Sequence, residues 1–234
     1  MTARTTYDLT AAEVIVFCGD SLTHGGIVGA GGTSIPWWWY VPAYLNSVRN
    51  PAINCRAAAG GSLTYPAGIT LGFSGTTMSK FTDPTVTAAI LALNPTIVVP
   101  CWGVNDATAG TAPNTVASQL ITGCQALLTS NSALKIPVFG VCNNGECWPD
   151  PTVLNPFDPQ IDAINGALSS ACDTLSASAA VSWLNPRPMW MARIQVLNPS
   201  NVQNGHHLTV DNLHDNVSGS QLKGSFFAGQ AVRV

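Results

Sequence analysis

Five short apolar runs, each followed by a polar loop or a helical stretch, constrain the fold of this chain more than any other feature. The runs are rich in β-branched and aromatic residues and are continuous rather than alternating, as is typical of strands covered on both faces. The sequence therefore predicts buried strands at 13–18 (EVIVFC), 52–57 (AINCRA), 96–102 (TIVVPCW), 136–142 (IPVFGVC) and 180–185 (AVSWLN).

Helical patterns separate these runs. In the stretch 114–130, apolar residues recur at helical spacing and share one face of a predicted helix. They are Val116, Leu120, Cys124, Leu127 and Leu128. Alternation of strand and helix predicts βαβ units, which build a parallel sheet with helices on both faces. A chain of 234 residues is expected to form one domain, residues 1–234. The predicted helices are 36–48, 84–94, 114–130, 159–177 and 218–231.

The composition excludes several classes of partner. Charged residues make up 9% of the chain and the net charge is −3. The sequence therefore shows no stripe of basic residues of the kind that binds nucleic acid or an anionic membrane. No apolar run approaches the roughly 18 residues of a membrane span, and the polar N-terminus shows no signal-peptide pattern. The charge-poor surface favours an extracellular or virion-associated location over a cytoplasmic one.

The seven cysteines are interpreted mainly as buried thiols. Cys18, Cys55, Cys101 and Cys142 fall at or near the ends of predicted strands, where free cysteines are common. The pair Cys142 and Cys147, in CNNGEC, is the best disulfide candidate, and the sequence leaves its state open. A zinc site is disfavoured because no second Cys/His pair stands at a suitable spacing.

Four polar or glycine residues follow directly after predicted strands. Parallel sheets bind ligands at the carboxyl ends of their strands, so we expect these residues to converge on one edge. The irregular segment 186–210 could wall the site, and whether it acts as a lid is open. The four residues are Ser21, Gly60, Asn105 and Asn143.

Ser21 is the candidate nucleophile. A serine needs a base, usually a histidine oriented by a carboxylate. Among four histidines only His214 has an acid at a telling spacing, Asp211, three residues earlier. The N–H groups of Ser21 and Gly60 and the amide of Asn105 could form an oxyanion hole.

Four sequence blocks in chain order resemble the SGNH (GDSL) hydrolase family. The resemblance covers nearly the whole chain, from about residue 13 to the C-terminal helix. The blocks are GDSLT at 19–23, AGGS at 59–62, GVND at 103–106 and DNLH at 211–214.

The resemblance implies a fold, a mechanism and roles for individual residues. The family fold is a flavodoxin-like three-layer α/β/α sandwich around a five-stranded parallel sheet. By the resemblance, Ser21 is the nucleophile and first oxyanion donor, Gly60 and Asn105 complete the oxyanion hole, and Asp211 and His214 complete the triad. No metal or cofactor is needed.

Some positions depart from the family pattern or leave a choice. Gly61 could replace Gly60. Asp215 stands where a proline often follows the family histidine, and it could raise the pKa of His214 or, the preferred interpretation, cap the last helix. We further expect Asp20 to hold its loop and Asp106 to support its own turn. His206 and His207 are expected in surface loops. His24, near the nucleophile, could touch substrate, but a solvated loop position is the preferred interpretation.

Substrate and activity follow from the family resemblance and from the tryptophans. Family members cleave acetyl groups from polysaccharides, short acyl esters, thioesters and lipid esters. We expect a serine esterase acting on small acyl groups, in particular acetyl groups on carbohydrate. The alternatives are a non-catalytic carbohydrate-binding or virion structural protein on the same fold, or a lipase or thioesterase of the family. Tryptophans that could stack on sugars are Trp37, Trp38, Trp39, Trp102, Trp148 and Trp190.

Two other hydrolase classes are disfavoured. The α/β-hydrolase motif G-x-S-x-G is absent from the sequence. A zinc-dependent deacetylase would need clustered His and Asp ligands, which the four histidines do not supply.

Overall fold

The secondary structure follows the predicted order of elements. A computed structural model of the chain describes residues 14–24, 27–28, 32–33, 36–41, 44, 54–55, 71–142, 157–176, 180–191, 215 and 217–231. Its strands are β1 (Val14–Gly19), β2 (Ile27–Val28), β3 (Gly32–Thr33), β4 (Asn54–Cys55), β5 (Leu71–Gly72), β6 (Ile97–Cys101), β7 (Ile136–Phe139) and β8 (Val181–Leu184). Its helices are α1 (Ser21–His24), α2 (Pro84–Leu91), α3 (Val104–Ala109), α4 (Pro113–Ser130), α5 (Asp158–Leu175) and α6 (Val217–Ala231), with 3₁₀ turns at Trp37–Tyr40 and Met78–Thr82.

The central sheet is parallel. β1 pairs with β4 and β5 on one side and with β6 on the other, and β7 pairs with β8. The N–H of Val98 donates to the carbonyl oxygen of Lys135 at 2.9 Å, which joins β6 to the β7 side. The α/β fold class is confirmed. The count of five strands is not, because β5 adds a parallel strand that the sequence did not predict.

Helices cover both faces of the sheet. Val16 and Cys18 of β1 point into a core shared with α2, α4 and α5. The alternate residues, Ile15 and Phe17, point into a second core with Trp37 and α6. Because successive side chains of a strand face opposite ways, continuous apolar strands produce three layers, as predicted.

Four of the five predicted helices form within a few residues of their expected ends. The side chain of Asp83 accepts a hydrogen bond from the N–H of Thr85 at 2.9 Å, and Pro84 occupies the first turn of α2. The first predicted helix, 36–48, differs, since it begins as a 3₁₀ turn at Trp37–Tyr40. None of the described helices has the length and hydropathy needed to cross a bilayer.

Five cysteines of the described part of the chain are buried. Cys18, Cys101, Cys124, Cys142 and Cys172 carry free thiols. Burial raises the pKa of Cys142 to about 12, although the positive charge of Lys223 opposes the shift. The candidate disulfide between Cys142 and Cys147 is therefore not formed in this structure, in which Cys147 lies outside the described residues.

Candidate active site

The Ser21 turn joins β1 directly to α1. Asp20 occupies the capping position: its Oδ1 accepts from the N–H of Leu22 at 3.0 Å, and its carbonyl oxygen accepts from the N–H of His24 at 2.9 Å. Ser21 is thus the first helical residue and half-buried, and Asp20 performs the capping. The prediction that Asp20 holds its loop is confirmed.

Gly19 allows this turn to lie close to the neighbouring strand. A Cβ at Gly19 would stand 2.3 Å from the carbonyl oxygen of Cys101 and 2.3 Å from Oγ1 of Thr23. Both distances are far inside van der Waals contact, so a side chain would push the turn away from β6. The glycine before Asp20 and Ser21 is therefore a packing requirement.

Trp38 fixes the other end of α1. Its Nε1 donates to the carbonyl oxygen of Thr23 at 2.8 Å, and its ring stacks near Phe17 at a centroid distance of 6.2 Å. The sequence analysis did not assign Trp38 this role, because a tryptophan triplet carries no local signal for a bond to a helix fifteen residues earlier.

Asn105 lies in the first turn of α3, just after β6. The helix is preceded by Gly103 with φ +130°, a backbone conformation that favours glycine. The half-buried Asn105 side chain donates from Nδ2 to the carbonyl oxygen of Thr76 at 2.9 Å. An amide nitrogen has two N–H donors, so one orients the side chain and the second can serve a substrate oxygen.

The register of β1 and β6 brings the Ser21 and Asn105 segments to the same edge of the sheet. Gly19 lies opposite Cys101, and the N–H of Asp20 donates to the carbonyl oxygen of Cys101 at 3.4 Å. The other predicted site residues lie outside the described residues: Gly60, Gly61, Asn143, Asp211 and His214, as well as His206 and His207.

Two buried carboxyl groups support this edge. Burial raises the pKa of Asp20 to about 7, against the opposing effects of the Leu22 N–H and the charge of Lys223. Burial also raises the pKa of Asp106, whose Oδ2 accepts from the N–H of Met78 at 2.8 Å. Asp106 also reaches beyond its own turn, because this bond ties α3 to a segment 28 residues earlier.

Asp215 is buried in an ion pair. Nζ of Lys223, in α6, lies 2.8 Å from Oδ1 of Asp215, and the two side chains are 3% and 2% exposed. The ammonium also lies 4.7 Å from the ring centroid of Trp190. Asp215 was expected to cap α6 or act on His214, and the contact with Lys223, two turns into the helix, is a role that the sequence did not indicate.

Most tryptophans proposed to stack on sugars are core residues. Trp37 stacks on Phe139 at 4.4 Å between centroids, and Trp38 is buried beside it. Trp102 and Trp190 are also buried. The sugar-stacking role is therefore wrong for these four, whereas Trp39 is half-buried and Trp148 lies outside the described residues.

Asn165 secures the carboxyl end of the β7 segment. Its Oδ1 accepts from the N–H of Val141 and its Nδ2 donates to the carbonyl oxygen of Val141, both at 2.9 Å. An asparagine inside an amphipathic helix gave no sequence signal for this role. The segment 186–210, expected to be irregular, opens with a helical turn at 187–191, where Arg187 donates to the carbonyl oxygen of Cys142 at 2.9 Å.

A cavity that the described residues form lies away from the Ser21 turn. A cavity of about 780 Å³ lies between α5 and β8, lined among others by Asp158, Trp183 and Arg187, and neither Ser21 nor Asn105 lines it. Within the described residues, no group of three or more His, Cys, Asp or Glu side chains could hold a metal ion.

A family model matches most of the length of the chain. The family model described as GDSL-like Lipase/Acylhydrolase family matches residues 17–222. No curated protein matches the sequence.

Three solved structures share the fold over nearly the whole chain. A family 3 carbohydrate esterase from Clostridium thermocellum superposes with a TM-score of 0.66 at 16% identity, covering 94% of this chain and 95% of that one. An acetylxylan esterase from Geobacillus stearothermophilus gives 0.65 at 14% identity, with 99% and 98% covered. The acetyl xylan esterase AlAXEase gives 0.64 at 20% identity, with 94% and 100% covered.

Proposed function

The chain belongs to the GDSL-like Lipase/Acylhydrolase family, and from that premise we propose that it is a serine esterase for short acyl esters, in particular acetyl esters of carbohydrates. Ester hydrolysis is the activity of the family. The acyl group, the carbohydrate acceptor and the individual catalytic residues are the proposed part.

The observation that carries the proposal is the pairing of β1 with β6. Gly19 opposite Cys101 sets the Ser21 turn beside the strand end that leads to Asn105. A nucleophile and an amide donor on adjacent strand ends are what acyl transfer needs: one attacks the carbonyl carbon and the other stabilises the charge on its oxygen.

The proposed mechanism has two chemical steps. The Ser21 hydroxyl attacks the ester carbonyl while His214, oriented by Asp211, takes its proton. The tetrahedral oxyanion accepts hydrogen bonds from the N–H groups of Ser21 and Gly60 and from the amide of Asn105. His214 then protonates the departing alcohol, and a water activated by the same imidazole releases the acid and restores Ser21.

Carbohydrate as the acceptor is supported by the relatives in fold. The solved structures named above include a carbohydrate esterase and two acetylxylan esterases. Within the triplet Trp37, Trp38 and Trp39, only Trp39 is half-buried rather than buried, so it is the one member of the triplet that remains a candidate for contact with a sugar.

The test is a chain-length series of p-nitrophenyl esters with matched variants. We expect hydrolysis of the acetate to exceed that of the butyrate and the octanoate, and we expect Ser21→Ala to abolish it. Ser118→Ala is the control, because this exposed hydroxyl only donates to the carbonyl oxygen of Asn114 in α4. Release of acetate from acetylated xylan would then establish the carbohydrate acceptor.

The other outcomes separate the alternatives. Greater activity on the octanoate would indicate a lipase, and preference for an acetyl thioester over the oxygen ester would indicate a thioesterase. A folded protein that releases no acid from any ester or acetylated glycan would be a binding protein on an esterase fold.

A further inference from the structure

Lys223 is a buried cation that the proposed mechanism does not use. It lies two turns into α6, its side chain is 3% exposed, and Nζ contacts Oδ1 of Asp215 at 2.8 Å. Although burial opposes the charge, the Asp215 carboxylate raises the pKa of Lys223 above its ordinary value. The lysine is therefore held as an ammonium ion inside the protein.

The surroundings of Lys223 connect it with the candidate site. Its charge acts on Asp20, which precedes Ser21, and on the thiols of Cys101 and Cys142 at the carboxyl ends of the β6 and β7 segments. The ring of Trp190 covers the ammonium from another side, at 4.7 Å. All of these groups belong to the edge where the Ser21 turn leaves the sheet.

A buried ion pair contributes little to net stability, because desolvation of both charges offsets their attraction. Its physical effect is directional, because the short contact between Nζ and Oδ1 restrains both side chains to one geometry. Asp215 is the residue after His214 in the chain. A restraint on the position of Asp215 therefore also limits the backbone of the candidate base, which is joined to it by one peptide bond.

We propose that Lys223 is a positioning residue of the esterase, which holds Asp215, and through the chain the adjacent His214, in register with the Ser21 turn. Each of the two reacting residues then has a restrained carboxylate neighbour. Asp20, which precedes the nucleophile in the chain, accepts from the N–H of Leu22, and Asp215, which follows the base in the chain, accepts from Nζ of Lys223. The inference rests on the proposed function, since His214 is the base only there.

The test compares kcat, KM and thermal stability of ion-pair variants on p-nitrophenyl acetate. Lys223→Met and Asp215→Asn should lower kcat by roughly 10- to 100-fold with little change in KM, because a displacement of about 1 Å at the base costs that much. Lys223→Arg, which keeps the charge, should retain more activity than Lys223→Met.

Two further variants separate positioning from stability. Asp158→Asn is the control, since Asp158 also pairs with a buried cation, Arg187, at 2.8 Å. Arg187 keeps Asp162 as its second partner, and the variant should leave kcat unchanged. The double variant Asp215→Leu/Lys223→Met replaces the pair with apolar groups and should recover thermal stability without recovering kcat. Recovery of kcat together with stability would overturn the proposal.

A second readout does not depend on turnover. The ring resonances of His214, assigned by their loss in His214→Gln, should shift in Lys223→Met and stay in place in Asp158→Asn. Unshifted resonances in Lys223→Met would overturn the proposal even if the protein proved inactive. Failure of the proposed function is distinct: it would appear as absence of Ser21-dependent hydrolysis in the wild-type protein.

Discussion

The side-chain amide of Asn105 donates from Nδ2 to the carbonyl oxygen of Thr76 at 2.9 Å. This bond fixes the amide plane before any substrate arrives. A donor that is already oriented stabilises a developing oxyanion without reorganisation during the reaction.

Removal of that donor should slow the chemical step. We expect Asn105→Ala to lower kcat by the equivalent of about 2–4 kcal/mol, measured by steady-state kinetics on p-nitrophenyl acetate. Gln160→Ala is the matched control, because Gln160 also donates its amide to a backbone carbonyl, that of Thr111, at 2.7 Å. Equal kcat values for Asn105→Ala and the wild type would remove Asn105 from the oxyanion hole.

Substitution of Gly19 should destabilise the fold. In Gly19→Ala the new Cβ would meet the carbonyl oxygen of Cys101 at 2.3 Å, and overpacking of this kind costs about 1–3 kcal/mol. Gly166→Ala, in α5, is the control: no heavy atom lies within 4 Å of its Cβ, so it should gain about 0.5–1 kcal/mol. Denaturant unfolding measures the free energy of unfolding of both variants. An unchanged midpoint for Gly19→Ala would contradict the close packing of Gly19 against Cys101.

The buried Asp20 should make stability depend on pH. Its pKa is raised by burial from 3.8 to about 7, so between these values the folded state binds more protons than the unfolded state. Stability from this group is present below the unfolded pKa and is lost as pH rises from about 4 to about 7, by at most roughly 4 kcal/mol.

The matched variants for this effect are Asp20→Asn and Asp173→Asn. Asp20→Asn keeps the Oδ1 acceptor for Leu22 and removes the titration, so its free energy of unfolding should fall less over that pH range than that of the wild type. Asp173→Asn changes an exposed carboxyl group on α5 and should behave as the wild type does. Parallel pH curves for the wild type and Asp20→Asn would show that Asp20 does not titrate in this range.

The proposed base and nucleophile should act as one unit. We expect His214→Ala to reduce kcat nearly as far as Ser21→Ala does, and the double variant to be no slower than either single variant, because residues of a triad are non-additive. Asp211→Asn should lose less, and His207→Ala should retain wild-type kcat. Additive losses in the double variant would mean that the two residues serve separate steps.

Most of the fold could be predicted from local sequence patterns. Continuous apolar runs predicted β1, β6, β7 and β8 because burial on both faces leaves no polar alternation, and the Val116, Leu120 and Cys124 stripe predicted the buried face of α4. The short strand β5 escaped prediction because two residues, Leu71 and Gly72, carry no periodicity.

The candidate site was predictable only where it is local in sequence. A turn after the first strand is indicated by the sequence Gly19-Asp20-Ser21, and in the structure β1 passes there directly into α1. The Asp215–Lys223 pair was missed because burial, not spacing, makes it an ion pair. Trp37 and Trp38 were misassigned because their burial depends on tertiary contacts: the 3₁₀ turn packs them between the sheet, α1 and α6.

Covalent labelling of the nucleophile tests the central claim most directly. The protein would be treated with a fluorophosphonate, which reacts with activated serines, and the modified peptide located by mass spectrometry. We predict a single adduct on Ser21, formed slowly in His214→Ala and absent in Ser21→Ala. Hydrolysis of p-nitrophenyl acetate by a protein that carries no adduct on Ser21, or by the Ser21→Ala variant at the wild-type rate, would contradict the account.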